Sequence, residues 1–279
     1  MKKLMFRGLA VLAAVAFMAM GAGMNAAAAE PTENAEGRDT LFQVSLLQGL
    51  TLGDYYGSVP VARLREMGDT GIGTFDRLNG ELIMVDGTVY RAAADGTVEA
   101  VSDEETIPFC DVTFFDPDMT ETISNVESFD LLREWLNSKT EQMGINRFYM
   151  IRIDGTFKEI NVRSEYPQEE PYKPLAKVLE TDQTFYDYEK VQGTVVGLYC
   201  PAYMNDLNAV GWHLHFVSED RTTGGHVLGL NIDSAVISWD ETDAFQMVLP
   251  GNERFAGFDL TVDQTEDIEK VETNARQGE

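Results

Sequence analysis

The sequence is short of positive charge. Its 279 residues include 21 Lys and Arg against 47 Asp and Glu, a formal net charge of −26 at pH 7. Such an acidic surface repels phosphate backbones and anionic lipid headgroups, so the composition disfavours nucleic acid and membrane surfaces as partners. It attracts a metal cation, whereas an anionic small-molecule substrate would need a local basic residue.

Cysteine is also scarce. Cys110 and Cys200 are the two in the chain, and their spacing matches neither a zinc ribbon nor a redox pair. In an oxidising compartment they could form a disulfide, and two buried free thiols are the alternative. The sequence leaves this choice open and assigns them no chemistry.

The N-terminus has the pattern of a targeting segment. Three basic residues fall within the first seven positions, and Gly8–Ala29 carries no charge and ends in four alanines. This order is typical of a secretory signal peptide cleaved after Ala29, and a retained anchor is the alternative. We expect a signal peptide over 1–29, a disordered leader over 30–39, and an exported protein, extracellular or periplasmic, without a stable membrane anchor.

Turn pairs divide the first half into short apolar runs. Asn79-Gly80, Asp86-Gly87 and Asp95-Gly96 lie between such runs, and these dipeptides are strong hairpin signals. By the same reasoning Asp154-Gly155 predicts a turn between a strand ending at Ile153 and another over 156–162.

The remaining elements indicate an α+β fold with mostly antiparallel or mixed sheets and a few helices. Helices are predicted after Pro60, over 126–143 and over 263–275. A proline-rich connection predicts a boundary between an N-terminal α+β part, 40–166, and a C-terminal β-rich metal-binding part, 167–279. We expect the two parts to form a single catalytic unit.

Histidine is also scarce, and the positions of the few histidines are informative. The chain has three, His213, His215 and His226, all within fourteen positions. Residues two apart on a strand point to the same face, and the polar segment 219–225 should reverse the chain so that His226 faces the first pair. Because three imidazoles on one face would repel once protonated, a shared cation explains them better than a hydrogen-bonding role. Zinc is the preferred metal, although imidazole alone does not select it.

Two further residues stand out by position. Glu81 follows the Asn-Gly turn at the start of an apolar strand, and Arg163 ends the strand over 156–162. An arginine fork can bind a substrate carboxylate through two hydrogen bonds. A solvated strand-start residue and a surface ion pair are the alternatives, and spacing does not decide between them.

Several strings of the chain together resemble one family, the α-acetolactate decarboxylases. The strings are Gly211-Trp212-His213-Leu214-His215-Phe216, Gly224-Gly225-His226, Gly71-Ile72-Gly73-Thr74-Phe75, Asn79-Gly80-Glu81, Asp154-Gly155-Thr156-Phe157 and Val162-Arg163. They occur in the family's order between about Thr40 and Glu272. Cys110 departs from the pattern, which has a small residue after Pro-Phe, but it lies away from the metal motif.

The resemblance implies one zinc held by the three histidines, with Glu81, Arg163, Thr74 and Glu272 at the site. Glu269, one helical turn from Glu272, is the alternative for that last position. The implied reaction converts 2-acetolactate to acetoin and CO₂ without an organic cofactor. Zinc would stabilise the enediolate, Arg163 would hold the carboxylate, and Glu81 would protonate one face.

Two other functions compete with this one. A cupin-like metal oxygenase has a first motif that His213, His215 and Glu219 imitate, but its glycines would fall at Leu207 and His226, and it needs a histidine beyond the last one here. The second alternative is a non-catalytic extracellular metal-binding module. Activity on acetolactate distinguishes the enzyme from such a module. The sequence does not fix the oligomeric state, and a homodimer is one alternative.

Overall fold

The computed structural model describes residues 37–273. The predicted signal peptide and residues 30–36 of the predicted leader lie outside this range. Residues 37–39 form a turn before the first strand. No helix among the described residues is long and apolar enough to span a membrane.

Strands dominate the described part of the chain. They are β1 (Thr40–Val44), β2 (Val59–Pro60), β3 (Thr70–Thr74), β4 (Glu81–Val85), β5 (Thr88–Ala92), β6 (Val98–Ala100), β7 (Thr106–Ile107), β8 (Phe109–Thr113), β9 (Met119–Val126), β10 (Phe148–Glu165), β11 (Gln183–Cys200), β12 (Gly211–Ser218), β13 (Gly224–Thr242) and β14 (Ala244–Val248). The helices are α1 (Leu47–Thr51), α2 (Val61–Met67), α3 (Phe129–Met143), α4 (Leu175–Val178), α5 (Glu253–Gly257) and α6 (Thr265–Thr273), with 3₁₀ turns at Asp76–Leu78 and Ala202–Met204.

The first sheet has the order β14-β1-β8-β3-β4-β5-β6. Only its β1–β14 pair is parallel, and the other neighbours are antiparallel. The Asp86-Gly87 turn joins β4 to β5 as predicted, with both residues at positive φ. The predicted α+β class with mostly antiparallel sheets is confirmed.

The second sheet closes on itself. Its order is β10-β11-β12-β13-β9, and β13 also pairs with β10. Strands β10 to β13 therefore form a ring in which each is hydrogen-bonded to two others. The first sheet lies against this ring, since β3 contacts β11 and β4 contacts both β12 and β13. This packing brings the start of β4 close to the β12–β13 hairpin.

The turn predicted at Asp154-Gly155 is wrong. Both residues lie inside the continuous strand β10, paired with Thr194 and Gly193 on one side and with Val236 and Ala235 on the other. A Cβ at Gly155 would lie 2.4 Å from the Ser234 carbonyl oxygen. The glycine is therefore needed where two backbones approach closely within a strand, and not for a turn.

Helix α3 packs against β9 and β13 through an apolar cluster that it shares with the ring. Ser128 caps it by accepting a hydrogen bond from the Leu131 N–H, and it ends at Gly144, whose φ is 135°. Leu132 and Leu136 are fully buried in the same cluster as Trp239. Each such leucine contributes roughly 1.5–3 kcal/mol by burial. The predicted helix began three residues earlier, where the chain is still part of β9.

The proline-rich connection predicted as a boundary joins two strands that pair with each other. The β10–β11 register runs from Tyr149 opposite Tyr199 to Glu165 opposite Gln183. The connection, with α4 inside it, caps one end of this pair. The division into two parts at residue 167 stays a prediction from composition.

Both cysteines are buried free thiols. Cys110 packs in the core beside β1, and Cys200 packs in a separate cluster with Phe148 and Met150. Burial raises the pKa of each thiol well above its usual value. Of the two alternatives left by the sequence, the structure has the unpaired thiols.

Candidate metal centre and adjoining cavity

The β12–β13 hairpin brings the three histidines together. His215 lies directly opposite His226 in the antiparallel register, and His213 is two residues earlier on the same strand. The loop between the strands is held by the Ser218 hydroxyl oxygen, which accepts hydrogen bonds from the Thr222 and Thr223 amides. Hairpin register and strand periodicity therefore place all three imidazoles on one face.

One nitrogen of each imidazole points to a common centre. His213 Nε2 lies 3.0 Å from His215 Nε2 and 3.1 Å from His226 Nδ1, and the third separation is 3.4 Å. Nitrogens bound at 2.0–2.1 Å to one tetrahedral zinc lie roughly 3.3 Å apart. The three buried histidines thus have the spacing of a metal site.

The opposite ring nitrogens fix two of the tautomers. His215 Nδ1 is 2.8 Å from the Leu82 carbonyl oxygen, and His226 Nε2 is 3.3 Å from the Glu272 carbonyl oxygen. A carbonyl accepts only, so each of these nitrogens carries the proton and leaves the inward nitrogen with its lone pair. The fit of the site to a metal ion rests on these lone pairs.

Burial keeps the three imidazoles neutral. It lowers the pKa of His213 to about 3, helped by the positive charge of Arg163. Burial likewise lowers the pKa of His215 and His226 well below the ordinary value. A neutral imidazole is the form that binds a metal, so the environment favours the ligand state at neutral pH.

Glu81 is buried beside the histidines, not solvated at a strand start. It is 5% exposed, and its Oε2 lies 3.3 Å from His215 Nε2. The turn before it is held by the Thr74 hydroxyl, which donates to the Gly80 carbonyl oxygen at 2.8 Å, while Gly80 has a φ of 84°. Burial, followed by the negative charge of Glu165, raises the pKa of Glu81 well above its usual value.

Arg163 is buried as well, so the alternative of a surface ion pair does not apply. It lies opposite His226 in the β10–β13 register and is 3% exposed. Its Nε and Nη1 are buried without a hydrogen-bond partner. These free donors leave the guanidinium able to bind a carboxylate along one of its edges.

Glu272 reaches the site from α6. Its Oε2 lies 3.7 Å from His213 Nε2, while its carbonyl oxygen accepts from His226. Burial raises the pKa of its carboxyl to about 7, against the lowering effect of Arg163. The alternative residue, Glu269, has a side chain outside the described part of the structure.

These groups surround a small inner cavity of about 40 Å³. Its polar lining consists of Thr74, Glu81, Arg163, Glu165, His213, His226 and Glu272. Apolar residues of α1, α4 and α6 close it, among them Leu50, Leu175 and Val271. A larger cleft of about 520 Å³ shares His213, His226 and Glu272 with it and extends along α3. Most of the residues singled out from the sequence thus line one cavity, and His215 lies beside it.

Glu165 is the cavity residue that the sequence reasoning missed. It is 3% exposed, and its negative charge contributes to raising the pKa of Glu81. Its position two residues after Arg163 on one strand was a usable signal, because such residues share a face. The abundance of acidic residues concealed it.

Comparisons with known proteins show which family the chain is similar to. A profile described as alpha-acetolactate decarboxylase matches residues 41–262, which excludes Glu272. The chain is 40% identical over 234 residues to an alpha-acetolactate decarboxylase of Methanosarcina mazei, covering 84% of this chain and 80% of the relative. It is 36% identical over 233 residues to that of Bacillus subtilis, covering 84% and 89%. The crystal structure of the enzyme from Bacillus subtilis strain 168 superposes with a TM-score of 0.80 at 35% identity, covering 84% of this chain and 99% of the other.

Proposed function

This chain belongs to the alpha-acetolactate decarboxylase family, and from that premise we propose that it converts 2-acetolactate to acetoin and CO₂ in a zinc-dependent reaction. Membership of this family supports decarboxylation of acetolactate as the reaction. The observation that carries the rest is the inner cavity. There the histidine cluster, a guanidinium with two unpartnered nitrogens and the buried carboxyl of Glu81 lie together.

The histidines supply the metal site. His213, His215 and His226 would hold zinc through His213 Nε2, His215 Nε2 and His226 Nδ1, and the carbonyls of Leu82 and Glu272 orient two of the rings. When bound, zinc supplies a Lewis acid that withdraws charge from the enediolate left by loss of CO₂. Glu272 thus has a positioning role through its backbone.

Arg163 binds and orients the substrate carboxylate. Its Nε and Nη1 have no partner among the described residues, so a guanidinium edge that pairs either of them with Nη2 can donate two parallel hydrogen bonds and fix the plane of the carboxylate. The bond to the departing CO₂ breaks most easily when it lies perpendicular to the plane of the neighbouring carbonyl. A fork that fixes this rotation lowers the barrier by orientation.

Glu81 supplies the proton that completes acetoin. Burial favours its neutral form, which has a proton to give, and Thr74 holds the preceding turn so that the carboxyl faces the cavity. One donor on one side of the planar intermediate delivers the proton to a single face. The product should therefore have one handedness.

The decisive experiment is an acetoin assay on purified protein. We expect acetoin and CO₂ from acetolactate, loss of activity after treatment with a chelator, and recovery with added zinc. Absence of acetoin from zinc-loaded protein would favour the non-catalytic module. Oxygen consumption without acetoin would favour the cupin-like oxygenase.

The role of Glu81 is tested by Glu81→Gln, which keeps the size but removes the proton donor. We expect the rate to fall by roughly a hundredfold or more, zinc to remain bound, and the residual acetoin to lose enantiomeric purity. Glu66→Gln, at an exposed ion pair with Arg63, is the control. Weaker zinc binding would instead indicate a ligand, and lower stability with unchanged handedness a structural role.

A further inference from the structure

Glu165 places an unsatisfied acceptor in the inner cavity. Its side chain is 4% exposed, lines the cavity, and has an Oε2 that is buried without a hydrogen-bond partner. Leaving a buried carboxyl oxygen unpaired is unfavourable, and more so when it is charged. Such a group at a cavity wall is available to a hydrogen-bond donor on a ligand.

The acceptor stands beside the donors of Arg163. The two residues are separated by one position on β10, so both side chains point to the same face. Arg163 Nε lies 3.7 Å from Glu165 Oε1, which is too long for a hydrogen bond. The pair is therefore not closed into a bidentate ion pair, and Arg163 keeps its own free N–H groups.

A 2-hydroxy acid is complementary to this pair. Its carboxylate accepts hydrogen bonds, and the hydroxyl on the adjacent carbon donates one. With the carboxylate on the Arg163 fork, the hydroxyl lies one bond further along, towards the neighbouring acceptor. Neighbouring donor and acceptor side chains on one strand face thus correspond to the neighbouring carboxylate and hydroxyl groups of the substrate.

We propose that Glu165 accepts a hydrogen bond from the substrate hydroxyl and selects 2-hydroxy acids over carboxylic acids without that hydroxyl. The inference rests on the proposed function, because it takes the Arg163 fork as the carboxylate site. A ligand without the hydroxyl leaves the Glu165 oxygen buried and unpaired, which is the strongest kind of rejection available to a polar site.

The test compares two ligands of nearly equal shape on the zinc-loaded protein. 2-Hydroxy-2-methylpropanoate carries the hydroxyl, and 2,2-dimethylpropanoate has a methyl group in its place. Calorimetry gives the ratio of their dissociation constants for the wild type, Glu165→Met and Glu165→Gln. Any contact of the hydroxyl with zinc enters the ratio for every protein, so comparing the ratios isolates the contribution of Glu165.

We expect the preference for the hydroxy acid to fall by about ten- to a hundredfold in Glu165→Met, which retains length but has no oxygen acceptor. Glu165→Gln should be intermediate, since its amide oxygen still accepts. Ser164→Ala is the matched control, because Ser164 bonds the Ala92 carbonyl on the opposite face of the strand. Its ratio should equal that of the wild type.

An unchanged ratio in folded Glu165→Met would overturn the proposal. If that variant does not fold, an unchanged ratio in Glu165→Leu, which also lacks an oxygen acceptor, has the same force. Acetoin formation by the wild type is measured on the same preparation. Its absence would overturn the proposed function, whereas an unchanged ratio in an enzyme that forms acetoin overturns the role of Glu165 alone.

Discussion

Replacing Arg163 by lysine isolates the geometry of carboxylate binding from its charge. The guanidinium is buried, and its Nε and Nη1 have no hydrogen-bond partner among residues 37–273. Lysine keeps the positive charge that accompanies Glu81, Glu165 and Glu272 in the cavity. An ammonium on a flexible stem cannot reproduce two parallel hydrogen bonds in one plane.

The magnitude follows from the number of bonds lost. A hydrogen bond to a charged group contributes about 1.5–3 kcal/mol, and Arg163→Lys removes one of the two expected from the fork. Each 1.36 kcal/mol corresponds to a factor of ten in rate. We therefore expect kcat/KM to fall by about ten- to a hundredfold, with part of the loss in kcat because the carboxylate is less well oriented.

The assay is steady-state acetoin production, with melting temperature and zinc content measured on the same samples. Arg147→Lys is the control, since Arg147 is 54% exposed and pairs with Glu241 at the surface. It should leave kcat/KM unchanged. A normal kcat/KM in folded, zinc-loaded Arg163→Lys would refute the carboxylate fork, and a loss explained by lower stability alone would make Arg163 a structural residue.

Three further predictions concern the metal, the fold and export. His213→Ala and His215→Ala should each lose most of the bound zinc in elemental analysis, from about one per chain, and full retention in both would refute the three-histidine site. Gly155→Ala should lower the free energy of unfolding by about 1–3 kcal/mol, because its Cβ would meet the β13 backbone. Gly251→Ala, the control, has open space around the new Cβ and should leave the free energy of unfolding unchanged. Equal denaturation midpoints for the two variants would contradict the close approach at Gly155. Mass spectrometry of exported protein should find a chain that begins at or near Glu30, and a chain that still carries Met1 and partitions with membranes would favour the anchor.

The sequence predicted the elements whose signals are local. Strand periodicity placed His213 and His215 on one face, and the Asp86-Gly87 pair marked a real hairpin. The apolar stripe of α3 and its ending at Gly144 also depend on neighbouring residues only. Such features follow from backbone geometry and side-chain period, which act over a few positions.

The same local reasoning gave a wrong result at Asp154-Gly155. A dipeptide that usually turns the chain lies instead within an 18-residue strand. The strand continues because it has partners on both sides, β11 and β13, which are distant in sequence. Glycine at this point has the role of admitting the β13 backbone, and no short window of sequence contains that contact.

What the sequence by itself determined is the set of chemical groups: three histidines in one hairpin, an arginine at a strand end and a glutamate after a turn. What only the tertiary structure decided is their environment. The packing of β4 against the ring buries Glu81 against His215, and the pairing of β10 with β13 sets Arg163 opposite His226. Burial then lowers the pKa of the imidazoles and raises the pKa of Glu81 and Glu272, because desolvation depends on everything around a group. Glu165 shows the difference most clearly: in the sequence it is one of 47 acidic residues, and in the folded chain its unpaired oxygen lines the cavity.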